Sequence, residues 1–299
     1  MRVKSSVQPF STRQKMLEAD YEAYRYRDSY LSEVELHHHD FYEIYFFISG
    51  KVQYTIESRQ YDLKPGDILL ISPLELHQPI IRPGGESYER VVLWVSRGCL
   101  ASLSSPESDL STCFDLSSPQ HTNLLRLDAV MVRRLQDMAD ALIEEGTRRY
   151  FGWELSTRAL LTRILVELNR RMQESPAGFE VPDESSGIIA EVLRYINENF
   201  NNDISLDSLS EQFFVSKYHL SREFRRLVGT SVYRYIIQKR LIMAKQKMLS
   251  GMSPTMVYCN CGFGDYANFY RAFCHEYGIS PKKFCEDAAR RGIREENPK

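Results

Sequence analysis

An α+β chain is expected from three features of the 299-residue sequence. Up to about residue 115, short β-rich runs alternate with turn signals. From about 124 the apolar residues change to a spacing of three and four. After about 188 a helical pattern occurs twice. This length exceeds one small core, so two domains are expected.

The front runs are YEAYRYRD, FYEIYFFISG, KVQYTI, DILLISP and ERVVLWV, punctuated by PGD at 65–67 and RPGG at 82–85. Runs of this length rich in Val, Ile, Tyr and Phe suit strands. Many of them, with no long helix between, predict a β-sandwich or barrel. Leu127, Met131, Leu135, Met138 and Leu142 then make one helical stripe. Leu161, Leu165, Leu168 and Met172 make a second after Gly152, edged by Leu160 and Ile164. Two such helices can cap the barrel core or form a dimer interface, and spacing alone does not choose. ESPAGFEVPDESSG, 174–187, has Pro, Gly, Ser and acids but no period, as a linker does.

The net charge of −2 conceals a split. Residues 188–299 carry 17 Lys and Arg against 12 Asp and Glu, and the remainder carries 21 against 28. Between Phe213 and Leu249 there are nine basic residues and one acidic, Glu223. The back half is therefore the part expected to meet a polyanion. No window approaches the roughly 18 apolar residues of a membrane span, so no membrane partner is expected. The opening MRVKSSVQPFSTRQK lacks the apolar stretch of a secretory signal. Six irregularly spaced cysteines fit reduced thiols in a cytoplasmic protein. Cys259 and Cys261 are one residue apart, with Cys274, His275 and Cys285 nearby. Structural zinc prefers two to four residues between paired cysteines, so this group is not read as a zinc site.

The back half repeats itself at a shift of 49: Phe214 with Phe263, Ser216 with Asp265, Leu220 with Phe269, Arg222 with Arg271, Phe224 with Phe273, Gly229 with Gly278, Ser231 with Ser280, Tyr235 with Phe284. Ser216 and Asp265 are N-cap types, and Gly229 and Gly278 stop the helices they open. A shorter helix precedes each, one from near Ser205 and one from Ser253 with Pro254 in its first position. These align at 48, so the second turn holds one extra residue. Short helix, turn and capped helix make a helix-turn-helix, and the second helix of such a unit enters the major groove. The exposed positions are Lys217, Tyr218, His219, Ser221, Arg222 and Arg225 in the first unit. In the second they are Tyr266, Ala267, Asn268, Tyr270 and Arg271. Arginine suits guanine and asparagine suits adenine, while Lys and the outer arginines suit phosphates. Between the units, Val232 to Leu249 is expected as one helix with Tyr233, Ile237, Leu241, Ala244 and Met248 inside. At 1.5 Å per residue it spans roughly 27 Å. That length can hold two recognition helices about 34 Å apart, one turn of DNA. The bland alternative is a helical bundle with a solvated basic face.

LSREF at 220–224, GTSVYRYI at 229–236, CGFGDYANFYRAF at 261–273 and YGISPKKF at 277–284 resemble the AraC/XylS family of transcription regulators over about 190–288. The family places a small residue in the first helix of each unit, where two helices touch. Here those positions hold Ser210 and Tyr258, and the bulk of Tyr258 predicts altered docking of the second unit.

HHHDFYE at 37–43 opens the barrel's chemistry. Read as a strand, it puts His37, His39, Glu43 and Tyr45 on one face and His38, Asp40, Tyr42 and Ile44 on the other. His37-x-His39 with Glu43, then Gly50, resembles the first cupin motif. Pro73-x-x-x-His77 after Gly66 resembles a degraded second one, with LELH where a glycine would turn the chain. Three readings stand. The resemblance implies an effector cup, in which His37, His39, Glu43, Tyr45 and His77 supply hydrogen bonds and Tyr24, Tyr26, Trp94 and Phe47 supply walls. Alternatively His37, His39, Glu43 and His77 hold a divalent transition metal. Oxygenase or isomerase chemistry would then be open to them. Finally, the histidines are only structural. The missing glycine weighs against metal, so the cup is preferred, with no cofactor and no catalysis expected.

The expectation is thus a cupin-like effector domain over 1–120 and a dimerising helical hairpin over 121–175. A linker at 176–187, a double helix-turn-helix over 188–290 and a tail at 291–299 follow. The resemblance implies a homodimeric regulator, commonly an activator of sugar metabolism. Its partners would be double-stranded DNA, a small-molecule effector such as a sugar, and RNA polymerase where it activates.

Overall fold

The computed structural model describes residues 16–29, 34–73, 75–82, 87–118, 121–174 and 187–290. The expected linker (apart from Gly187), the tail and most of the RPGG turn lie outside them. The chain divides into two compact units at 185/186.

The first unit is two antiparallel sheets. One runs β1 (Tyr21–Asp28), β7 (Tyr88–Val95), β2 (Tyr42–Ser49), β5 (Ile68–Ile71), β8 (Leu124–Leu125). The other runs β4 (Arg59–Asp62), β3 (Val52–Ile56), β6 (His77–Ile81). Alternation decides what each strand buries. On β2, Tyr45 and Phe47 join Tyr54, Ile56, Tyr61, Val92 and Trp94 in one apolar cluster. Ile44 and Phe46 face the other way, into a cluster with Leu135, Leu142, Leu161, Leu165 and Leu168. After a short α1 (Arg97–Leu103), those leucines come from α2 (Ala129–Arg148) and α3 (Trp153–Glu174), so β2 is covered on both sides. Each leucine is at most 1% exposed and contributes roughly 1.5–3 kcal/mol of apolar burial. The helical hairpin is therefore built into the core. Its other side stays bare: Val130 is 79% and Leu155 75% exposed. Asp128 caps α2 by accepting from the amides of Val130 and Met131.

The second unit is helical: α4 (Ile188–Asn199), α5 (Leu206–Gln212), α6 (Lys217–Val228), α7 (Val232–Leu249), α8 (Pro254–Asn260), α9 (Tyr266–Tyr277) and α10 (Pro281–Arg290). The expected caps form. Ser216 accepts from the amide of His219 at 3.2 Å, and Asp265 from that of Asn268 at 2.7 Å. Gly229 and Gly278 end α6 and α9 with φ of 74° and 69°. Leu220, Phe224, Phe269 and Phe273 are fully buried.

Two expectations need correcting. Phe214 is not the counterpart of Phe263. It is 95% exposed with φ 54°, whereas Phe263 is 5% exposed. The left-handed residue of the second turn is Gly262, φ 80°, at a shift of 48. The Val215 amide bonds the Ser210 carbonyl just as the Phe263 amide bonds that of Tyr258. The extra residue is thus Gly264, after the turn. Tyr233, expected inside α7, is 75% exposed, and Tyr235 and Ile236 are buried in its place. Helix α7 serves both units. Tyr235 meets Phe224 and Asn197, while Leu241, Ala244 and Met248 meet Val257, Phe269 and Phe273. A helix buried on several sides has no single stripe to read.

Candidate functional site

The interior of the barrel collects polar groups that its apolar walls exclude from water. Glu43 lies in register with Trp94 on β7 and Ile71 on β5, pointing inward with Tyr45. Its Oε2 accepts from the Trp94 indole at 3.1 Å and lies 2.8 Å from His39 Nε2. His77 Nε2 is 3.9 Å from the same oxygen. His39 is 2%, Glu43 5% and His77 0% exposed. The one-face expectation for His37 and His39 fails in its reasoning, because β2 begins only at Tyr42. Residues 37–41 precede it, tied to the second sheet by paired bonds between His37 and His77. His39 is positioned by its own Nδ1 bond to the Phe41 carbonyl, 2.9 Å, and by stacking on the Phe41 ring.

The LELH turn works without a glycine. The buried Glu75 carboxylate accepts from the backbone amide of Ser72 at 2.7 Å and from the side-chain amide of Asn123 at 3.1 Å. A side chain closes the loop that delivers His77.

Aromatic rings crowd the interior. Tyr24 meets Trp94 edge-on at 5.4 Å, Phe41 meets Trp94 at 4.9 Å, and Tyr45 meets Tyr54 at 5.1 Å. The Tyr45 and Tyr88 hydroxyls are 2.5 Å apart. Burial raises both phenols, that of Tyr88 to about 12. Burial, then the neighbouring His39, lowers His37 to about 4. Burial, with His37 and His39 beside it, holds His77 well below the usual imidazole range. These two phenols and two imidazoles are thus neutral donors and acceptors around the Glu43 carboxylate. At its rim the Arg90 guanidinium, 2% exposed, pairs with Asp28 at 2.5 Å and lies over the rings of Tyr88 and Tyr26. Arg90, Tyr54 and Tyr88 were not among the expected site residues. Arg90 was findable, since alternation along ERVVLWV puts it on the face of Val92 and Trp94.

In the second unit, the outward face of α6 carries Lys217, Tyr218, Ser221, Arg222 and Arg225, all exposed. Lys217 pairs with Asp207 at 2.8 Å, and Arg222 lies beside Glu223 and over the Tyr218 ring. On α9, Asn268 and Arg271 are exposed, with Arg271 donating to the Asn268 side chain at 2.6 Å. The Asn268 amide also donates to Asp265. Tyr266 is half-buried, edge-on to Tyr258 at 5.9 Å and against Phe269. The bulk of Tyr258 is thus taken up by a ring contact that draws Tyr266 inward.

A family model for an AraC-like ligand binding domain matches residues 21–165, and one for a helix-turn-helix domain matches 209–287. The chain belongs to the AraC family. This AraC-family member is a DNA-binding transcription regulator with a ligand-binding domain. It is similar to the HTH-type transcriptional activator RhaS of Salmonella arizonae and that of Salmonella schwarzengrund. Each is 24% identical over 254 residues, covering 82% of this chain and 85% of the relative. Among solved structures, the DNA-binding domain of AdpA in complex with a target DNA is 25% identical. It covers 36% of this chain and 96% of that one, with a TM-score of 0.34. ToxT from Vibrio cholerae is 11% identical, covering 90% of this chain and 98% of that one, with a TM-score of 0.37. Among the described residues of this AraC-family chain, no helix is long and apolar enough to cross a membrane.

Proposed function

We propose that this regulator is an effector-responsive activator, and that the effector sits in the barrel cup. The supporting observation is a buried polar cup on the same chain as two exposed, capped recognition helices. His37, His39, Glu43, Tyr45, His77, Tyr24 and Trp94 are the effector residues, and a sugar suits hydrogen-bonding groups between aromatic walls. The rings among them lie in contact with one another or with neighbouring rings, so the effector must part them. Binding energy spent there can shift the population of barrel states. The activator reading follows the name of the RhaS relatives, and RNA polymerase is then a partner.

The functional divisions on this reading are the cup over 1–120, the hairpin over 121–175, the linker over 176–187 and the reader over 188–290. The bare side of α2 and α3, with Val130 and Leu155, joins two chains in a homodimer. Lys217, Tyr218, Ser221, Arg222 and Arg225, then Tyr266, Asn268 and Arg271, meet double-stranded DNA in two successive major grooves. The chain performs no catalysis on this reading.

The test selects DNA from a random pool with the full chain, then titrates it by fluorescence anisotropy with and without a panel of sugars, sugar acids and polyamines. A sugar that raises the melting temperature of the protein and changes its DNA affinity supports the proposal. DNA binding indifferent to every ligand leaves a barrel that only dimerises. Arg222→Ala is expected to cost about 1–3 kcal/mol of specific binding and relax one base position. Unchanged affinity and preference would remove Arg222 from base readout.

A further inference from the structure

Three histidines of the cup share a feature that hydrogen bonding within the barrel does not require. His37 Nδ1 lies 2.8 Å from the Glu35 carbonyl, His39 Nδ1 2.9 Å from the Phe41 carbonyl, and His77 Nδ1 2.8 Å from the Glu75 carbonyl. A carbonyl oxygen only accepts, so each Nδ1 carries the proton. His37 and His77, which burial keeps neutral, are each then left with a bare lone pair on Nε2. The Nε2 atoms of His39 and His77 converge on the Glu43 carboxylate, 2.8 and 3.9 Å from its Oε2. His39 Nε2, Glu43 and His77 place their ligand atoms within 4.8 Å of one another, and all three side chains are buried. His77 Nε2 is buried without a hydrogen-bond partner. A buried acceptor aimed at a carboxylate, itself an acceptor, is costly unless something positive lies between them.

We infer that His39, Glu43 and His77 hold a divalent first-row transition-metal ion. Metal–nitrogen and metal–oxygen bonds of about 2.0–2.2 Å at tetrahedral angles set ligand atoms roughly 3.3 Å apart. The two separations from Glu43 Oε2, 2.8 and 3.9 Å, bracket that value. Backbone carbonyls on each Nδ1 are the outer shell that fixes the ligating tautomer, and the Trp94 indole on Glu43 orients the carboxylate. Two imidazoles and a carboxylate suit zinc, iron, cobalt or nickel more than calcium or magnesium. His37 stays outside the triad, its ring 4.3 Å from that of His77. The objection raised by the absent glycine falls away, because Glu75 and Asn123 make the turn. The inference shares the cup with the effector proposal but does not depend on it. A chain that binds metal and no sugar keeps this site and loses that reading.

The experiment uses the full chain, stripped with a chelator and dialysed, then titrated with Co²⁺ and Zn²⁺. The expected result is one equivalent bound, with visible cobalt bands and no thiolate charge-transfer band in the near ultraviolet. Glu43→Gln keeps the shape and an acceptor for Trp94. With His77→Gln, it is expected to weaken binding at least about tenfold, the scale on which even outer-shell losses act. Near-ultraviolet circular dichroism checks that both variants fold. Cys259→Ser and His275→Gln should leave binding unchanged. Absence of stoichiometric binding overturns the inference. So does a thiolate band, or binding that survives in Glu43→Gln but vanishes in Cys259→Ser. The cobalt spectrum of the unaltered chain decides the matter even where a variant does not fold.

Discussion

At the scale of single residues, the barrel stores imidazoles that resist protonation. His37 and His121 are lowered to about 4, and His77 lies well below 6.5, each chiefly because burial penalises the charged ring. The folded state therefore binds these protons less readily than the unfolded chain. Their contribution is complete above about pH 6.5 and is lost as pH falls through the folded values. Thermal unfolding of chelator-treated protein should show a melting temperature that drops between pH 7 and pH 5. A flat profile over that window would contradict it, and His121→Gln should reduce the slope. Residue-level legibility was uneven. HHH and Glu43 announced a polar centre, and Tyr45, Trp94 and His77 do surround it. The strand logic that grouped them was wrong for 37–41, because side-chain bonds to carbonyls place those rings. Glu75, whose carboxylate replaces a glycine turn, gave no signal, since its partner Asn123 is 48 residues away.

At the scale of elements, the helix-turn-helix units were the most legible part of the chain. Caps, stops and i,i+4 aromatic pairs are local in sequence, and Ser216, Asp265, Gly229 and Gly278 do what their types dictate. Removing a cap should cost accordingly. Ser216→Ala is expected to destabilise the second unit by about 1 kcal/mol, read by urea unfolding. Asp265→Ala should cost as much and also release the Asn268 amide, which Asp265 holds. An effect below a few tenths of a kcal/mol for both would show that the caps do not limit stability. The turns were less legible. Phe214 and Phe263 look alike in sequence but one is a strained, exposed turn residue and the other is core. Composition cannot separate them. Only the left-handed backbone that Phe214 shares with Gly262 sets the register.

At the scale of the molecule, the division into a β-rich front and a helical back was readable from periodicity, because each unit buries its own core. What periodicity could not supply is how the two helix-turn-helix units are joined. The Arg240 guanidinium on α7 donates to the carbonyls of Phe200 at 2.7 Å and Asn202 at 2.8 Å. Gly262 sits against the same loop. A β-carbon there would stand 2.7 Å from the Asn201 carbonyl and 2.9 Å from Arg240. Gly262→Ala therefore meets both a backbone clash and a left-handed φ, and should destabilise the second unit by about 2 kcal/mol or more. Retention of full stability would mean that the loop yields.

That junction has a consequence for the duplex itself. With the loop after α4, the middle of α7 and the turn before α9 bound together, the second helix-turn-helix cannot swivel freely about the first. Each added base pair turns DNA by about 34–36°. If both helices meet DNA as proposed, a second recognition helix held at fixed separation would sense torsion as well as sequence. Inserting one base pair between its two contact patches forces the duplex to untwist or the junction to break, and deformation of either costs energy. Binding by this chain should accordingly depend on the superhelical density of a closed circular template, and Arg240→Ala should make it less so.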